Sequence, residues 1–209
     1  TMEIFRRMGL AERVSAAGLP AHVPMDVYVA LAMNVPPLLR LPYPSVSDAK
    51  AEIARSRDGA LPLEPYQLIS QYTLEPLLLA ALSERPTVQV RFSTEFVSLT
   101  QDAHGVETRL RTGDGPDTTF RARYVVGCDG GTSAVRRHLG IELSGDAAIA
   151  QLFQGLYYCP ALFDRLPIDG GPGPGRHYHI ADDRSTFLIM QDSTRHWTRL
   201  EAGSHPPAA

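Results

Sequence analysis

The stretch Tyr124-Val-Val-Gly-Cys-Asp-Gly-Gly-Thr-Ser-Ala-Val-Arg-Arg-His-Leu-Gly140 has the pattern of a buried strand, a tight glycine turn and a helix start. Its two leading valines are β-branched and favour the end of a strand. Its first three glycines let the backbone turn sharply and approach a ligand closely, and its Thr-Ser pair can cap a helix. The sequence therefore predicts a junction with one carboxylate, Asp129, placed to accept hydrogen bonds from the ribose hydroxyls of a nucleotide or to act through water on its diphosphate.

The same junction has a second, purely structural interpretation. The order and spacing of its glycines differ from the G-x-G-x-x-G fingerprint of dinucleotide-binding turns, so the motif is weakly specific when taken alone. Asp129 could serve only as a local cap of the helix that follows. Both interpretations stay open from the local sequence.

The composition is that of a globular protein without an affinity for polyanions. The chain has 209 residues, 44% of them hydrophobic and 21% charged, which fits one sizeable domain or two small ones. A net charge of -3 gives no electrostatic basis for binding nucleic acid or an anionic membrane. No apolar run approaches the roughly 20 residues that span a bilayer. We expect a cytoplasmic protein.

Cysteine and histidine indicate neither a disulfide framework nor a metal site. Cys128 and Cys159 are the only cysteines and lie far apart in sequence. Cys128 is expected to be a small buried hydrophobic residue. His177 and His179 would share one face of a strand, but no cysteine or carboxylate stands at ligand spacing from them. No metal is expected.

Apolar periodicity and turn residues predict most of the elements. Helices are expected at 2–14 and 70–84, the latter beginning near Thr73 because Pro76 is tolerated in a first turn; residues 48–57 could form a short helix or a loop. The segments expected to be strands are 23–35, 88–90, 93–100, 105–112, 118–126, 147–158 and 177–191. Three of these form a β-meander that ends in the Asp-Gly turn. The glycine- and proline-rich segment 169–175 is expected to be a surface loop.

Three stretches occur in the order in which one family of enzymes carries them. Thr1–Leu10 is similar to the helix that follows the family's first flavin-contacting loop, and Ile69–Leu78 is similar to its Gln-x-x-Leu-Glu helix. The third stretch is similar to its Asp-Gly motif and consists of Gly127-Cys-Asp-Gly130, Ser133, Val135-Arg136 and Leu139-Gly-Ile141. On these residues the chain resembles the FAD-dependent aromatic hydroxylases, class A flavoprotein monooxygenases of the p-hydroxybenzoate hydroxylase type.

The resemblance implies a mixed α/β (α+β) fold: part of a FAD-binding Rossmann-like domain with a β-meander, plus a substrate-domain β-sheet. Residues 1–145 would form a partial FAD-binding domain, with 21–65 as a candidate contribution to the substrate domain. Residues 146–200 would form a partial substrate-binding domain, and 201–209 a tail. The family's G-x-G-x-x-G loop and its later Gly-Asp motif do not occur in the chain, so we expect the central part of a longer protein.

The resemblance also implies site residues. Those expected to bind the cofactor are Gln71, Asp129, Gly130 and Arg136. Those expected to contact a flat hydrophobic substrate are Phe153, Tyr157, Tyr178, Phe187 and Met190. Most have an alternative: Gln71 as an ordinary polar residue at a helix start, and the apolar residues as sheet core. Arg136 could pair with Asp129 or another carboxylate and hold the turn, or it could be a solvated residue. The sequence names no catalytic base.

The activity implied is hydroxylation of an aromatic or phenolic compound, with FAD as cofactor and NAD(P)H and dioxygen as co-substrates. The partners implied are a small aromatic substrate and the N- and C-terminal segments of the same protein, and a homodimer stays open. The 209-residue chain alone is not expected to be active. The alternatives are a non-catalytic module of this fold that does not hold FAD by itself, and a flavin oxidoreductase of another reaction type.

Overall fold

The structure, a computed structural model, describes residues 1–146 and 149–203. The chain divides into two compact units, one of Thr1–Ala81 with Ala148–Ala209 and one of Leu82–Ala147. The mixed α/β class expected from the sequence is confirmed. The domain functions assigned above stay predictions. In the described part of the chain, no helix is both long and apolar enough to cross a lipid bilayer.

In chain order the elements are α1 (Met2–Arg7), α2 (Ala11–Ala17), β1 (Val27–Ala30), β2 (Leu39–Leu41), α3 (Val46–Arg55), α4 (Gln71–Ser83), β3 (Thr94–Asp102), β4 (Gly105–Thr112), β5 (Asp117–Ala122), α5 (Ala134–His138), β6 (Leu152–Tyr158), a short 3-10 helix (Phe163–Arg165), β7 (His177–Ile180), β8 (Thr186–Met190) and β9 (His196–Ala202).

The first unit is built on a six-stranded sheet with the order β2-β1-β7-β8-β9-β6. β1 runs parallel to β7, and the other neighbouring pairs are antiparallel. The register sets Tyr28 beside Tyr178 and Met190 beside Trp197. Because side chains alternate across a strand, these four lie on one face and form the core of the unit. The other buried members of this core are Leu19, Val23, Met25 and Val46.

The segment 169–175 is expected to be a surface loop, but only its first two residues are exposed, and residues 171–175 pack against this core. Pro172 is completely buried, and the Tyr178 hydroxyl donates to the carbonyl oxygen of Gly175 at 3.3 Å. A Cβ at Gly175 would lie 2.8 Å from the ring of Tyr28. Only glycine lets the loop close this tightly on the sheet.

The N-terminal helical segment is broken once. Periodicity predicts one helix over 2–14, but the structure has α1 and α2, because Gly9 ends α1 with a φ of +72°. α4 begins at Gln71, two residues before the predicted start at Thr73. These helices bury a small cluster that consists of Met2, Ala11 and Val14 with the partly buried Phe5, Ile69, Leu74 and Leu77.

The second unit contains the predicted β-meander. β3, β4 and β5 form an antiparallel three-stranded sheet. α5 packs on it through His138, whose Nε2 lies 2.8 Å from the carbonyl oxygen of Leu99 and whose ring meets the ring of Phe96 edge-on. The helix that follows the Asp-Gly turn is thereby fixed to the meander.

The strand predicted over 118–126 forms as β5 but stops short of the Asp-Gly turn. β5 ends at Ala122, and Tyr124 and Val126 are 79% and 80% exposed. Within residues 1–146 and 149–203, no strand pairs with this segment. Because β-propensity reflects packing within a sheet, β-branched residues without a neighbouring strand do not form one. Cys128 is likewise exposed, contrary to expectation.

Two other predicted strands need correction. Residues 88–90 form no strand, and both of their valines are exposed. The predicted strand 177–191 is a hairpin of β7 and β8, since the Asp182 carboxylate accepts from the N–H and hydroxyl of Thr186 at 2.9 and 2.7 Å and stabilises a turn between them.

The C-terminal strands also differ from expectation. The predicted strand 147–158 begins only at Leu152, and β9 was not predicted. β9 extends to Ala202, so the predicted tail 201–209 starts inside the sheet. Residues 204–209 of that tail lie outside the described residues.

Candidate functional site

The Asp129 carboxylate organises the turn before α5. Its Oδ1 accepts from the Ser133 hydroxyl at 2.5 Å, and its Oδ2 accepts from the N–H groups of Ala134 at 2.6 Å and Val135 at 3.1 Å. The hydrogen bond from Ser133 and the backbone bonds lower the pKa of Asp129 from its usual value. Asp129 therefore caps the helix, as the structural interpretation expects. One of its four acceptor positions, on Oδ1, remains available.

The glycines of this turn have opposite environments. A Cβ at Gly127 would lie 2.9 Å from the Cβ of Val135, so glycine allows the turn to pack against α5. A Cβ at Gly130 or Gly131 would meet nothing within 4 Å, and Gly130 has a φ of +76°. The N–H groups of these two glycines donate to no described residue. One edge of the turn is thus closed by protein, and the other is open and carries free donors.

Arg136 holds the turn through carbonyl groups. Its Nη1 donates to the carbonyl oxygen of Ile141 at 2.8 Å, and its Nη2 donates to that of Gly131 at 3.3 Å. It does not pair with Asp129, which corrects that part of the sequence interpretation. Its role toward a cofactor stays a prediction.

Gln71 is the first residue of α4 and is exposed. Its Nε2 donates to Oε1 of Glu75 one turn later, at 2.5 Å, which holds the amide on the helix surface. Its own carbonyl oxygen stays available as an acceptor. Gln71 belongs to the first unit, whereas Asp129, Gly130 and Arg136 cluster in a single turn of the second unit.

The five substrate candidates differ in burial and fall into three groups. Tyr178 and Met190 are completely buried in the sheet core, so they present no surface to a substrate and are core residues, the alternative that the sequence left open. Phe187 is half-buried and packs its ring 4.1 Å from that of His179. Phe153 and Tyr157 lie on one face of β6 and keep accessible surface. A substrate role remains open for these two.

A cluster that sequence reasoning missed lies next to Gln71. The carboxylate of Asp192, between β8 and β9, accepts from the N–H groups of Thr194 and Arg195 at 2.9 and 2.7 Å, from the His196 imidazole at 3.0 Å, and from the Tyr72 hydroxyl. Tyr72, Asp192, Thr194 and Arg195 border a cleft of about 320 Å³. The Asp-Ser-Thr triplet is a turn signal that could have predicted the local bonds.

The titration of this cluster reflects its hydrogen bonds. Burial by itself would raise the pKa of Asp192, but the bonds from Tyr72, Thr194 and His196 together hold it well below its usual range. Burial and the bond to Asp192 raise the pKa of Tyr72 to about 12. Because its pKa is lowered, Asp192 is ionised, and its hydrogen bonds join α4 to the β8–β9 turn. We call it an anchor in this sense.

Comparison with known proteins identifies the family. Residues 1–196 match the family described as FAD binding domain. The chain belongs to the FAD-dependent aromatic hydroxylases. This confirms the resemblance based on the Asp-Gly motif and the two helices, since the matched residues 1–196 include all three stretches.

Several relatives of this hydroxylase-family chain are curated. It is 35% identical over 147 residues to the FAD-dependent monooxygenase opdD of Penicillium oxalicum, which covers 69% of the chain and 28% of that protein. It is 30% identical over 213 residues to the aklavinone 12-hydroxylase DnrF of Streptomyces peucetius, covering 99% of the chain and 42% of that protein. The phenol 2-monooxygenase of a Pseudomonas species is 34% identical over 142 residues, covering 67% and 22%.

A solved structure shows the same fold. The flavin-dependent monooxygenase PieE, crystallised with FAD and substrate, matches 100% of this chain and 35% of its own, with 29% identity and a TM-score of 0.75. The chain thus spans well under half the length of these relatives.

The described residues of this hydroxylase-family chain fit part of a FAD molecule. The open edge at Gly130 and Gly131 admits close approach of a sugar or phosphate group, and its free N–H groups suit their oxygens. The remaining acceptor position of Asp129 suits a hydroxyl group. Within residues 1–146 and 149–203, no cluster of three or more His, Cys, Asp or Glu side chains could hold a metal ion.

Proposed function

We propose that the protein hydroxylates an aromatic or phenolic compound with FAD, NAD(P)H and dioxygen. The observation that carries the proposal is the Asp129 turn, with one open glycine edge and one free acceptor, in a chain that matches the FAD-binding family over residues 1–196. Relatives named monooxygenases and hydroxylases support this reaction over a non-catalytic role. Bound FAD would supply the redox and oxygen chemistry.

The roles proposed for this chain are binding and orientation. Asp129 would accept from a cofactor hydroxyl, Gly130 would admit the cofactor to the turn, and Arg136 would hold the turn in shape. Gln71 would offer its free carbonyl oxygen to the cofactor. Phe153 and Tyr157 would contact a flat ring from β6. In such a site the gain in rate comes from placing the ring and excluding water.

The setting of the reaction is part of the proposal. We place it in the cytoplasm, since it consumes NAD(P)H, and we expect the active protein to include further segments of the same polypeptide. A homodimer is compatible with these expectations. The net charge of -3 argues against nucleic acid as a substrate.

The proposal is tested with the intact protein, FAD and a panel of simple phenols. Phenol-dependent oxidation of NADH or NADPH is measured together with transfer of isotopically labelled dioxygen into the product by mass spectrometry. We expect labelled hydroxylated product. NAD(P)H oxidation that leaves every phenol unlabelled would instead identify an oxidase or a dehydrogenase.

A further inference from the structure

The first turn of α4 receives little support from its own backbone. Pro76 lies inside the helix and has no N–H group, so the carbonyl oxygen of Tyr72 receives no hydrogen bond from the residue four positions later. The backbone N–H groups of Gln71 and Tyr72 donate to no residue in the part of the chain that the structure describes. Side-chain contacts must therefore fix where this turn lies.

Two sets of side-chain contacts hold the turn. Leu74 packs against the apolar cluster of α1 and α2. Tyr72 donates its hydroxyl to the Asp192 carboxylate, and its ring meets the ring of His196 edge-on, with the ring centres 4.9 Å apart. Because successive helical residues are about 100° apart around the axis, Tyr72 and Leu74 point about 200° apart. The turn is thus held on two nearly opposite sides, which fixes its rotation about the helix axis.

The Asp192 carboxylate is a fixed acceptor for Tyr72. Its Oδ1 accepts from the hydroxyl and the N–H of Thr194 at 2.8 and 2.9 Å and from the N–H of Arg195 at 2.7 Å. Its Oδ2, which accepts from Tyr72, also lies 3.0 Å from Nδ1 of His196. The carboxylate cannot follow a movement of Tyr72 without breaking these bonds, and hydrogen bonds to an ionised carboxylate are the strong ones.

Gln71 takes its direction from the same turn. It is exposed and precedes Tyr72 in α4. Its Nε2 donates to Oε1 of Glu75 at 2.5 Å, so its carbonyl oxygen is the group left for a cofactor. A rotation of the turn moves this oxygen together with the Tyr72 side chain. Binding groups work only when they are held within about 0.5 Å of the productive geometry, so a small rotation is enough to weaken the contact.

We propose that Tyr72 is a positioning residue for Gln71, with its bond to Asp192 setting the first turn of α4 so that the Gln71 carbonyl oxygen faces the cofactor. The inference rests on the proposed binding of FAD by Gln71 and deepens it. Tyr72 and Asp192 need not touch FAD for this role. The whole effect of Tyr72 on FAD affinity therefore passes through Gln71.

The first experiment needs no flavin. Hydrogen–deuterium exchange with mass spectrometry follows the amides of Thr73 and Leu74 in the intact protein, both of which donate to the carbonyl oxygen of Ser70. In Tyr72→Phe they should exchange at least about threefold faster, the effect of one lost hydrogen bond on local opening. The amides of α3 should keep their rates. Unchanged rates at Thr73 and Leu74, or an equal rise in α3, would overturn the proposal.

A double-mutant cycle then tests the path through Gln71. Flavin fluorescence titration gives the dissociation constant of FAD for the wild type, Tyr72→Phe, Gln71→Ala and the double variant. We expect each single change to raise it by about three- to tenfold, the range of one hydrogen bond. The double variant should match Gln71→Ala, because Tyr72 has nothing left to position once the amide is gone. Circular dichroism at the titration temperature checks that each variant is folded.

Tyr158→Phe is the matched control for the cycle. The Tyr158 ring packs on the same His196 ring, with the centres 5.8 Å apart, but its hydroxyl bonds to no described residue, so the change should leave FAD affinity as it is. Effects of Tyr72→Phe and Gln71→Ala that add in the double variant refute positioning while FAD binding stands. An unchanged dissociation constant in either single variant refutes it as well. A wild type that binds no FAD contradicts the proposed function itself, and this inference with it.

Discussion

Asp129 and Asp192 accept similar local hydrogen bonds but differ in the sequence separation of their partners. Each carboxylate accepts hydrogen bonds from residues that follow it in a turn. All partners of Asp129 lie within six residues, whereas Asp192 also accepts from Tyr72, which lies 120 residues away in sequence. The turn of Asp129, whose bonds are all local, leaves an open edge for a ligand. The long-range bond of Asp192 joins α4 to the β8–β9 turn. Sequence motifs reveal local bonds far better than long-range ones.

Loss of the Asp192 carboxylate should have the largest effect on stability. Asp192→Ala leaves Tyr72 and His196 without their shared acceptor, and we expect a loss of about 2 to 4 kcal/mol in the free energy of unfolding, since bonds to a charged group are worth about 1.5 to 3 kcal/mol each and are not additive. Urea unfolding followed by circular dichroism measures it. Asp183→Ala, at an exposed residue of the neighbouring hairpin turn, should change little. Equal effects of the two changes would show that Asp192 is not an anchor.

The contribution of Asp192 should also depend on pH. Its pKa is lower in the folded protein than in the unfolded chain, so its stabilisation is complete above the unfolded value of about 3.9 and is lost as pH falls below it. We therefore expect the stability gap between the wild type and Asp192→Asn to be constant from about pH 7 to about pH 5 and to narrow below about pH 4. Unfolding free energies measured across this range provide the test. A gap that widens on acidification contradicts the assignment.

Removal of the Tyr72 hydroxyl should have a smaller effect. Tyr72 is more than one third exposed, so the loss expected for Tyr72→Phe is discounted to about 1 kcal/mol. Spectrophotometric titration gives a second readout, because the variant should lose one phenol that ionises near pH 12. Tyr124→Phe, at an exposed residue, is the control and should leave the stability unchanged. If Tyr72→Phe left the titration curve near pH 12 unaltered, the hydrogen bond between Tyr72 and Asp192 would be contradicted.

The Asp129 change should affect stability least and cofactor binding most. The carboxylate of Asp129 is exposed, so Asp129→Asn should hardly move the melting temperature of the intact protein. If the turn binds FAD as proposed, the dissociation constant of FAD should rise by roughly tenfold, the effect of one lost charge-assisted bond. Flavin fluorescence titration measures it, with Asp114→Asn in the β4–β5 turn as control. Unchanged FAD affinity together with a lowered melting temperature would leave Asp129 with the helix cap alone.

The sequence predicts those parts of the fold that depend on neighbouring residues. The meander follows from alternation over 93–100 and 105–112, where each strand finds its partner across a short turn. The segments 88–90 and 124–126 have similar composition but no described partner strand, and no local signal reports that absence. The division of 177–191 into two strands depends on one side chain, Asp182.

In the candidate site, too, the sequence predicts only what depends on neighbouring residues. Its Asp-Gly turn was predictable because every bond of Asp129 is local, and the resemblance to a family supplied the meaning of the motif. The burial of Tyr178 and Met190 is set by pairing between strands, so their types alone could suggest a pocket or a core. The Asp192 cluster forms only because α4 lies beside the β8–β9 hairpin, 120 residues later in the sequence. No local spacing of residues predicts that contact.

The parallel pairing of β1 with β7 has a kinetic consequence. Tyr28 pairs with Tyr178 only after nearly the whole described chain has left the ribosome, whereas the meander of β3, β4 and β5 in the second unit is complete much earlier. Contacts between residues far apart in sequence form slowly. The second unit should therefore be folded while β1 and β7 of the larger sheet are still unpaired. During that interval β1 presents an unpaired, apolar edge, and this is when the nascent protein is most exposed to aggregation.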